Sequence, residues 1–207
     1  MLDVFKSILG IFVNEKSLQR IYDLYMGAPV RYRDTIKLKH VATGLSLHSH
    51  HIRYTHTGSS GQQQVTAYHG SDSNDYWIIK GPNGQPENYK EGQPINNGDI
   101  IRLEHLNTRK NLHSHGDTPS PLSHQQEVTA FGDNGIGDFN DNWRIEIEHG
   151  GLRLMWQKKV KVRFIYVDTN HTLHSHGEHS SHEYTANQQE VTCFSERDDN
   201  DWWVVSI

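Results

Sequence analysis

The chain has 207 residues, 34% of them hydrophobic, and a formal net charge of −5 at pH 7 with histidine taken as neutral. That length is typical of one domain, and scattered Lys and Arg under a negative net charge argue against a nucleic-acid-binding surface. There is no run of about 18 apolar residues, so we expect no membrane-spanning helix, and a single cysteine excludes an internal disulfide framework. The sixteen histidines exceed an ordinary share and need an explanation.

The N-terminal segment differs in pattern from the rest of the chain. Residues 2–13 are mostly apolar, but they lack the basic start and the small-residue cleavage site of a secretory signal peptide. Residues 15–26 place Leu18, Ile21, Tyr22 and Tyr25 on one helical face, and glycine and proline follow as stop signals. We therefore predict one or two helices in residues 2–26, and an N-terminal helical extension over residues 1–28.

This extension has two interpretations. The favoured one is a helix packed against the rest of the fold. The other is a surface for a partner or for a membrane interface, with residues 2–13 as the apolar contact. The last four residues, Val-Val-Ser-Ile, are not a retention tetrapeptide of the endoplasmic reticulum.

Three motifs recur in the same order along residues 29–207. Leu-His-Ser-His occurs at residues 47–50, 112–115 and 173–176. Gln-Gln-x-Val-Thr follows at residues 62–66, 125–129 and 188–192, and Asp-x-Asn-Asp-x-Trp follows at residues 72–77, 138–143 and 198–203. The chain is therefore a triplicated unit, with repeats 1, 2 and 3 at about residues 29–92, 93–155 and 156–207.

Each repeat reads as four short strands. The first strand alternates apolar and polar residues, as in Ile36, Leu38 and His40, which is typical of a half-buried strand. The second carries Leu-His-Ser-His, the third Val-Thr, and the fourth begins at the tryptophan. Three such units predict an all-β fold of twelve strands with pseudo-threefold symmetry. A closed β-trefoil satisfies this pattern and protects most sheet edges.

The histidine pairs are the first candidate site. A strand places the leucine and serine of Leu-His-Ser-His on one face and both histidines on the other, about 7 Å apart, which is close enough to share one ligand. We expect the leucines to face the core and the histidines to face outwards. A metal would need a third ligand, and no residue supplies one at a fixed spacing, so we predict no metal site. The alternative is that the imidazoles satisfy buried turn carbonyls and hold neighbouring loops in place.

The glutamines that follow each pair are the second candidate. Amides donate and accept hydrogen bonds, which suits sugar hydroxyls or a peptide backbone, although the same amides can close the loop between two strands. The candidate ligand-binding residues are therefore His48, His50, Gln63, His113, His115, Gln126, His174, His176 and Gln189.

The remaining motifs indicate structure rather than chemistry. Asp-x-Asn-Asp supplies hard oxygens but lacks the glycine and the distal glutamate of an EF-hand, so we interpret it as an Asx-turn before a strand. We expect the motif tryptophans and Cys193 in the core. The catalytic motifs that would mark a hydrolase or a nucleotide enzyme do not occur in the sequence, and we expect neither an enzyme nor a cofactor.

In combination, the three repeated motifs resemble the MIR domain. The resemblance covers about residues 29–207 and is strongest to the stromal-cell-derived-factor-2 group of small MIR proteins, with similarity to the MIR module of protein O-mannosyltransferases. It implies a β-trefoil, a location in the lumen of the endoplasmic reticulum or the secretory pathway, and work in protein quality control with Hsp70 and J-domain partners. In the mannosyltransferases it implies contact with glycan or acceptor protein.

The sequence therefore predicts a non-enzymatic module that recognises glycan or unfolded or glycosylated polypeptide, in quality control or O-mannosylation. Two alternatives stay open: a protein scaffold or co-chaperone without sugar binding, and the soluble MIR portion of a larger mannosyltransferase-like membrane protein.

Overall fold

The computed structural model describes residues 14–148, 155–179 and 182–206. The predictions for residues 2–13, a first helix and a membrane contact, lie outside these ranges. No helix within them is long and apolar enough to cross a membrane.

One α-helix, α1 (Glu15–Met26), precedes the sheet. Asn14 caps its first turn by accepting a hydrogen bond from the Ser17 backbone N–H at 2.9 Å, and Gly27 ends it with φ +80°. Lys159 Nζ donates to the Leu24 carbonyl at 2.9 Å, which ties the last turn of the helix to the start of repeat 3. Tyr25 is exposed, so this part of the predicted apolar face is uncovered.

The described residues otherwise form an all-β fold in which every strand pairing is antiparallel. The strands of repeat 1 are β1 (Thr35–His40), β2 (Ser46–Arg53), β3 (Gln63–Tyr68) and β4 (Tyr76–Lys80). Those of repeat 2 are β5 (Ile100–His105), β6 (Asn111–Pro119), β7 (Gln126–Phe131) and β8 (Trp143–Ile147). Those of repeat 3 are β9 (Val162–Tyr166), β10 (Thr172–His174), β11 (Gln189–Glu190), β12 (Thr192–Phe194) and β13 (Trp203–Ser206).

The described chain thus has one strand more than the twelve predicted. The third strand of repeat 3 is interrupted at Val191, so that β11 pairs with β3 while β12 pairs with β7 and β10. One predicted strand therefore serves two neighbours as two short pieces.

The strand pairings close a ring and a cap. The first and fourth strands of the repeats pair in the cyclic order β1, β4, β5, β8, β9, β13 and back to β1. The second and third strands form hairpins, and the third strands pair with one another between repeats.

The core lies inside this ring, and each repeat contributes its motif leucine and tryptophan to it. The motif tryptophans Trp77, Trp143 and Trp203 are fully buried, and each indole N–H donates to the carbonyl of the motif leucine of its own repeat at 2.9–3.0 Å. The hydrogen bond offsets the cost of removing the one polar atom of each indole from water. The leucines are buried as predicted.

Cys193 is buried in this core at the position that Ala67 and Ala130 hold in the other repeats. Burial raises the pKa of its thiol to about 12. The prediction of a small core residue is confirmed.

Candidate ligand-binding site

The structure brings the first and last motifs of each repeat together. The Nδ1 atom of the first histidine lies 2.9–3.0 Å from a buried aspartate of the Asp-x-Asn-Asp motif; the pairs are His48–Asp75, His113–Asp141 and His174–Asp201. The two partners are 27 or 28 residues apart in every repeat.

The aspartate motif folds into a short turn that aims this carboxylate inwards. In each repeat its first aspartate caps a 3₁₀ helix, η1 (Ser73–Asp75), η2 (Phe139–Asp141) or η3 (Asp199–Asp201). The last aspartate returns the contact by accepting from the cap backbone N–H, which completes a capping box. The motif is therefore a local turn, as predicted, but it also holds a partner for the histidine.

Two predictions about the histidine pairs are wrong. The first histidines do not face outwards: His48, His113 and His174 are at most 3% exposed, since the 3₁₀ turn and an aromatic ring cover that face of the hairpin. Acidic groups do reach them at a fixed spacing, because the histidine Nδ1 and two aspartates of each repeat lie within 4.8 Å of one another. At 2.9–3.0 Å each histidine–aspartate contact is a hydrogen bond between an imidazole nitrogen and a carboxylate oxygen.

The second histidines lie at the surface of the same clusters. His50, His115 and His176 are half-buried, and each ring packs edge-on against the first histidine with centroids 5.2–5.5 Å apart. Of the nine predicted contact residues, these three are the accessible ones.

The candidate glutamines are buried and already bonded. Gln63, Gln126 and Gln189 each donate from Nε2 to the serine hydroxyl of Leu-His-Ser-His in the same repeat at 2.6–2.8 Å. Each also bonds a threonine hydroxyl of another repeat at 2.8–3.3 Å. These contacts favour the loop-closing interpretation of the amides over direct ligand contact.

The structure adds two surface groups that sequence reasoning missed. An aromatic ring at the end of the third strand packs 4.7–4.8 Å from the first histidine; these rings are Tyr68, Phe131 and Phe194. The capping aspartate lies 3.6–3.8 Å from the same imidazole with 43–47% of its side chain exposed; these residues are Asp72, Asp138 and Asp198. An aromatic residue three positions after the Val of every Val-Thr motif was the signal that could have found the ring.

Each repeat therefore presents an imidazole–aromatic–carboxylate cluster, defined by its second histidine, its ring and its capping aspartate. In repeat 3 this cluster lines a surface depression of about 500 Å³, together with Gln125, Glu178 and Asn200. Burial, with the neighbouring His179 and His174, lowers the pKa of His176, so its imidazole is neutral near pH 7. No hydrogen bond joins that ring to another side chain of the described residues.

The other two second histidines are engaged. His115 Nδ1 lies 2.9 Å from Asp117, and His50 Nδ1 accepts from the Ile52 backbone N–H at 3.3 Å. The repeat 3 cluster is thus the one whose second histidine ring has no hydrogen bond to the described residues, although it packs against His179 with centroids 4.4 Å apart.

The buried aspartates of the repeats have different basic side chains as partners. Burial opposes ionisation of Asp75, but hydrogen bonds from His48 and from Lys37, at 3.1 Å, outweigh it and lower the pKa of that carboxyl. Burial raises the pKa of Asp141, and the contact with His113 offsets this only in part. The same backbone turn therefore holds carboxyl groups of different acidity.

The similarity to known proteins lies in the region of the three repeats. Residues 47–206 match the model of the MIR domain family. A stromal cell-derived factor 2-like protein of Dictyostelium discoideum is 45% identical over 161 residues, which cover 77% of this chain and 71% of that protein. Protein O-mannosyl-transferase 2 of Drosophila melanogaster is 36% identical over 190 residues, covering 89% of this chain and 24% of that protein. The crystal structure of the SDF2-like protein from Arabidopsis thaliana is similar with a TM-score of 0.77 and 39% identity, covering 86% of this chain and 95% of that one.

Proposed function

The chain belongs to the MIR domain family, and on that premise we propose that it is a non-enzymatic module that recognises the glycan of a glycosylated polypeptide. The observation that carries the proposal is the imidazole–aromatic–carboxylate cluster of repeat 3, with Phe194, His176 and Asp198 around one depression.

These three groups match the two kinds of surface on a sugar ring. An aromatic face packs against the apolar C–H face of a pyranose, while a carboxylate and a neutral imidazole bond its hydroxyl groups. Such a site binds and orients a ligand without needing a nucleophile or a general acid.

The proposed architecture is a β-trefoil of three MIR repeats with a short N-terminal helical extension. Support comes from the closed ring of six strands, the three hairpins that cap it, and bonds that recur between repeats. One such set joins the third-strand threonines Thr66, Thr129 and Thr192 to the glutamines Gln188, Gln62 and Gln125 of another repeat.

We assign the module to the lumen of the endoplasmic reticulum or the secretory pathway, where glycosylated clients of protein quality control and O-mannosylation are found. The support is membership of a family that includes stromal cell-derived factor 2-like proteins and an O-mannosyl-transferase. Hsp70 and J-domain chaperones are the proposed partners. A pull-down from a lysate tests this alternative. If these chaperones are enriched equally with and without glycosidase treatment, the result favours the co-chaperone alternative over sugar recognition.

Titration calorimetry with methyl mannosides, guided by a glycan array, tests sugar recognition. We expect millimolar or tighter binding by the unaltered chain and its loss in Phe194→Ala and in His176→Ala. Tyr184→Ala is the matched control, since this aromatic residue of repeat 3 is 37% exposed and lies outside the cluster. If the unaltered chain binds no sugar of the array at millimolar concentration, the glycan proposal fails.

A further inference from the structure

Among the described residues, the loop of repeat 2 that precedes η2 presents an apolar surface that the equivalent loops of repeats 1 and 3 lack. Six residues separate Phe131 from Asp138, whereas three separate the equivalent ring and aspartate of repeats 1 and 3. The longer loop presents Ile136, which is 75% exposed, and Phe139 at the start of η2 is 75% exposed as well. The residues equivalent to Phe139 are polar, Ser73 and Asp199.

The loop is held in this conformation. The Gly135 N–H donates to the Arg109 carbonyl at 2.6 Å, and the Gly135 carbonyl accepts from Arg102 Nη1 at 3.2 Å and Asn111 Nδ2 at 3.3 Å. Ile136 donates back to Asp133 at 3.0 Å, which closes the tip as a bridged turn. The loop backbone that carries Ile136 is therefore held in place before any partner arrives, which reduces the backbone entropy lost on binding.

Next to the loop lies a cleft of about 720 Å³ between repeats 1 and 2. Phe131 and Ile136 line its apolar side, and Arg53 and Lys110 line it with positive charge. Lys110 Nζ already donates to Asp133 and to the Gly132 carbonyl at 2.7 and 2.9 Å. The Arg53 guanidinium makes no hydrogen bond and no close ion pair with the described residues. The hydrogen bond from Lys110, and the charges of Lys110 and Arg53, lower the pKa of Asp133, the one carboxylate in the cleft lining, so the lining has two cations for one anion.

We propose that this surface, formed by Arg53, Phe131, Ile136 and Phe139, binds an extended polypeptide segment that has an apolar side chain beside an acidic one. The apolar side chain enters the cleft against Ile136 and Phe131, and the carboxylate pairs with Arg53. A neutral sugar such as mannose has no carboxylate to pair with Arg53, and a single available arginine does not suit the phosphates of a nucleic acid. The proposal does not depend on glycan recognition, since it uses unmodified polypeptide.

Fluorescence anisotropy with two labelled peptides of about ten residues tests the surface. One peptide has a central Leu-Phe-Asp-Glu in a Gly-Ser background, and the other has Leu-Phe-Lys-Lys in the same place. We expect the acidic peptide to bind about fivefold or more tightly than the basic one, and the preference to reverse in Arg53→Glu. Equal binding of both peptides, or no binding of either, overturns the proposal.

Further variants test the apolar contact. We expect Ile136→Ser and Phe139→Ser each to weaken the acidic peptide about tenfold, the serine at 139 reproducing the residue of repeat 1. Val167→Ser, at an exposed apolar residue of repeat 3, is the control and leaves affinity unchanged. Unchanged affinity in both loop variants overturns the proposal, and if either unfolds, the charge reversal at Arg53 decides. Peptide binding that methyl mannoside displaces also contradicts it, because the two surfaces are then one.

Discussion

The imidazole of His113 lies 2.9 Å from the buried carboxylate of Asp141, and in this repeat the carboxylate has no basic partner among the described residues besides histidine. The equivalent carboxylates do have one: Lys37 Nζ lies 3.1 Å from Asp75, and Arg163 Nε lies 3.5 Å from Asp201. Of the three buried carboxylates, that of repeat 2 therefore depends most on its histidine for stabilisation.

We expect His113→Leu to lower the free energy of unfolding by about 3 kcal/mol at pH 7, because it leaves a buried carboxylate without its partner. The loss should shrink as pH falls, since the raised pKa of Asp141 allows the neutral acid to form. Urea denaturation measures both effects. His115→Leu, at the half-buried second histidine, is the control, and equal losses in the two variants would refute this dependence.

Removing the cation of repeat 1 should make Asp75 behave like Asp141. The folded-state pKa of Asp75 lies below the ordinary value of 3.8, so its ionised form stabilises the fold above that pH, and the stabilisation is lost as pH falls through the folded-state value. In Lys37→Met we expect the pKa of Asp75 to rise, followed by ¹³C NMR of the carboxyl carbon. Lys39→Met, on the same strand, should leave it unchanged; a fixed pKa in Lys37→Met would show that Lys37 is not its cause.

His105 should stay neutral down to about pH 4. Burial lowers its pKa to about 4, and its two ring nitrogens contact Thr108 Oγ1 and the Asn74 carbonyl. Because the unfolded chain binds this proton near the ordinary value of 6.5, stability should fall as pH drops from 6.5 towards 4. Imidazole shifts in NMR, compared with the urea-unfolded chain, give both values. Titration of folded His105 near 6.5 would contradict its burial.

The repeat 2 loop should not accept a side chain at Gly132. Gly132 has φ +85°, and an added Cβ would lie 1.9 Å from the Ile136 carbonyl oxygen. Gly98 has φ +87° but open space around an added Cβ. We expect Gly132→Ala to be less stable than Gly98→Ala by about 2 kcal/mol, since both carry backbone strain but only the first overpacks. Equal melting temperatures would mean that the loop adapts.

The sequence predicted the core and the repeat better than the site. Apolar and polar residues alternate along the strands with a period of two. Burial of Leu47, Trp77 and Ile36 follows from that local pattern. Interruption of the last repeat at Val191 has no such local signal, because it arises where two neighbouring strands take different halves of one segment.

The site depended on contacts between distant residues. Alternation correctly separates His48 from Leu47, yet it cannot show that Asp75 comes over the other face of the strand. The repeated spacing of 27 or 28 residues held that information, but only as a constant distance between two motifs that had separate interpretations. The histidine excess is thus partly structural, as three imidazoles are buried partners of aspartate.

The most direct test of the central proposal is a ¹H–¹⁵N NMR titration of the whole chain with methyl α-mannoside. Glycan recognition at repeat 3 predicts saturable shifts that centre on His176, Phe194 and Asp198 and disappear in Phe194→Ala. Saturable shifts centred elsewhere, or none up to millimolar sugar, would contradict it.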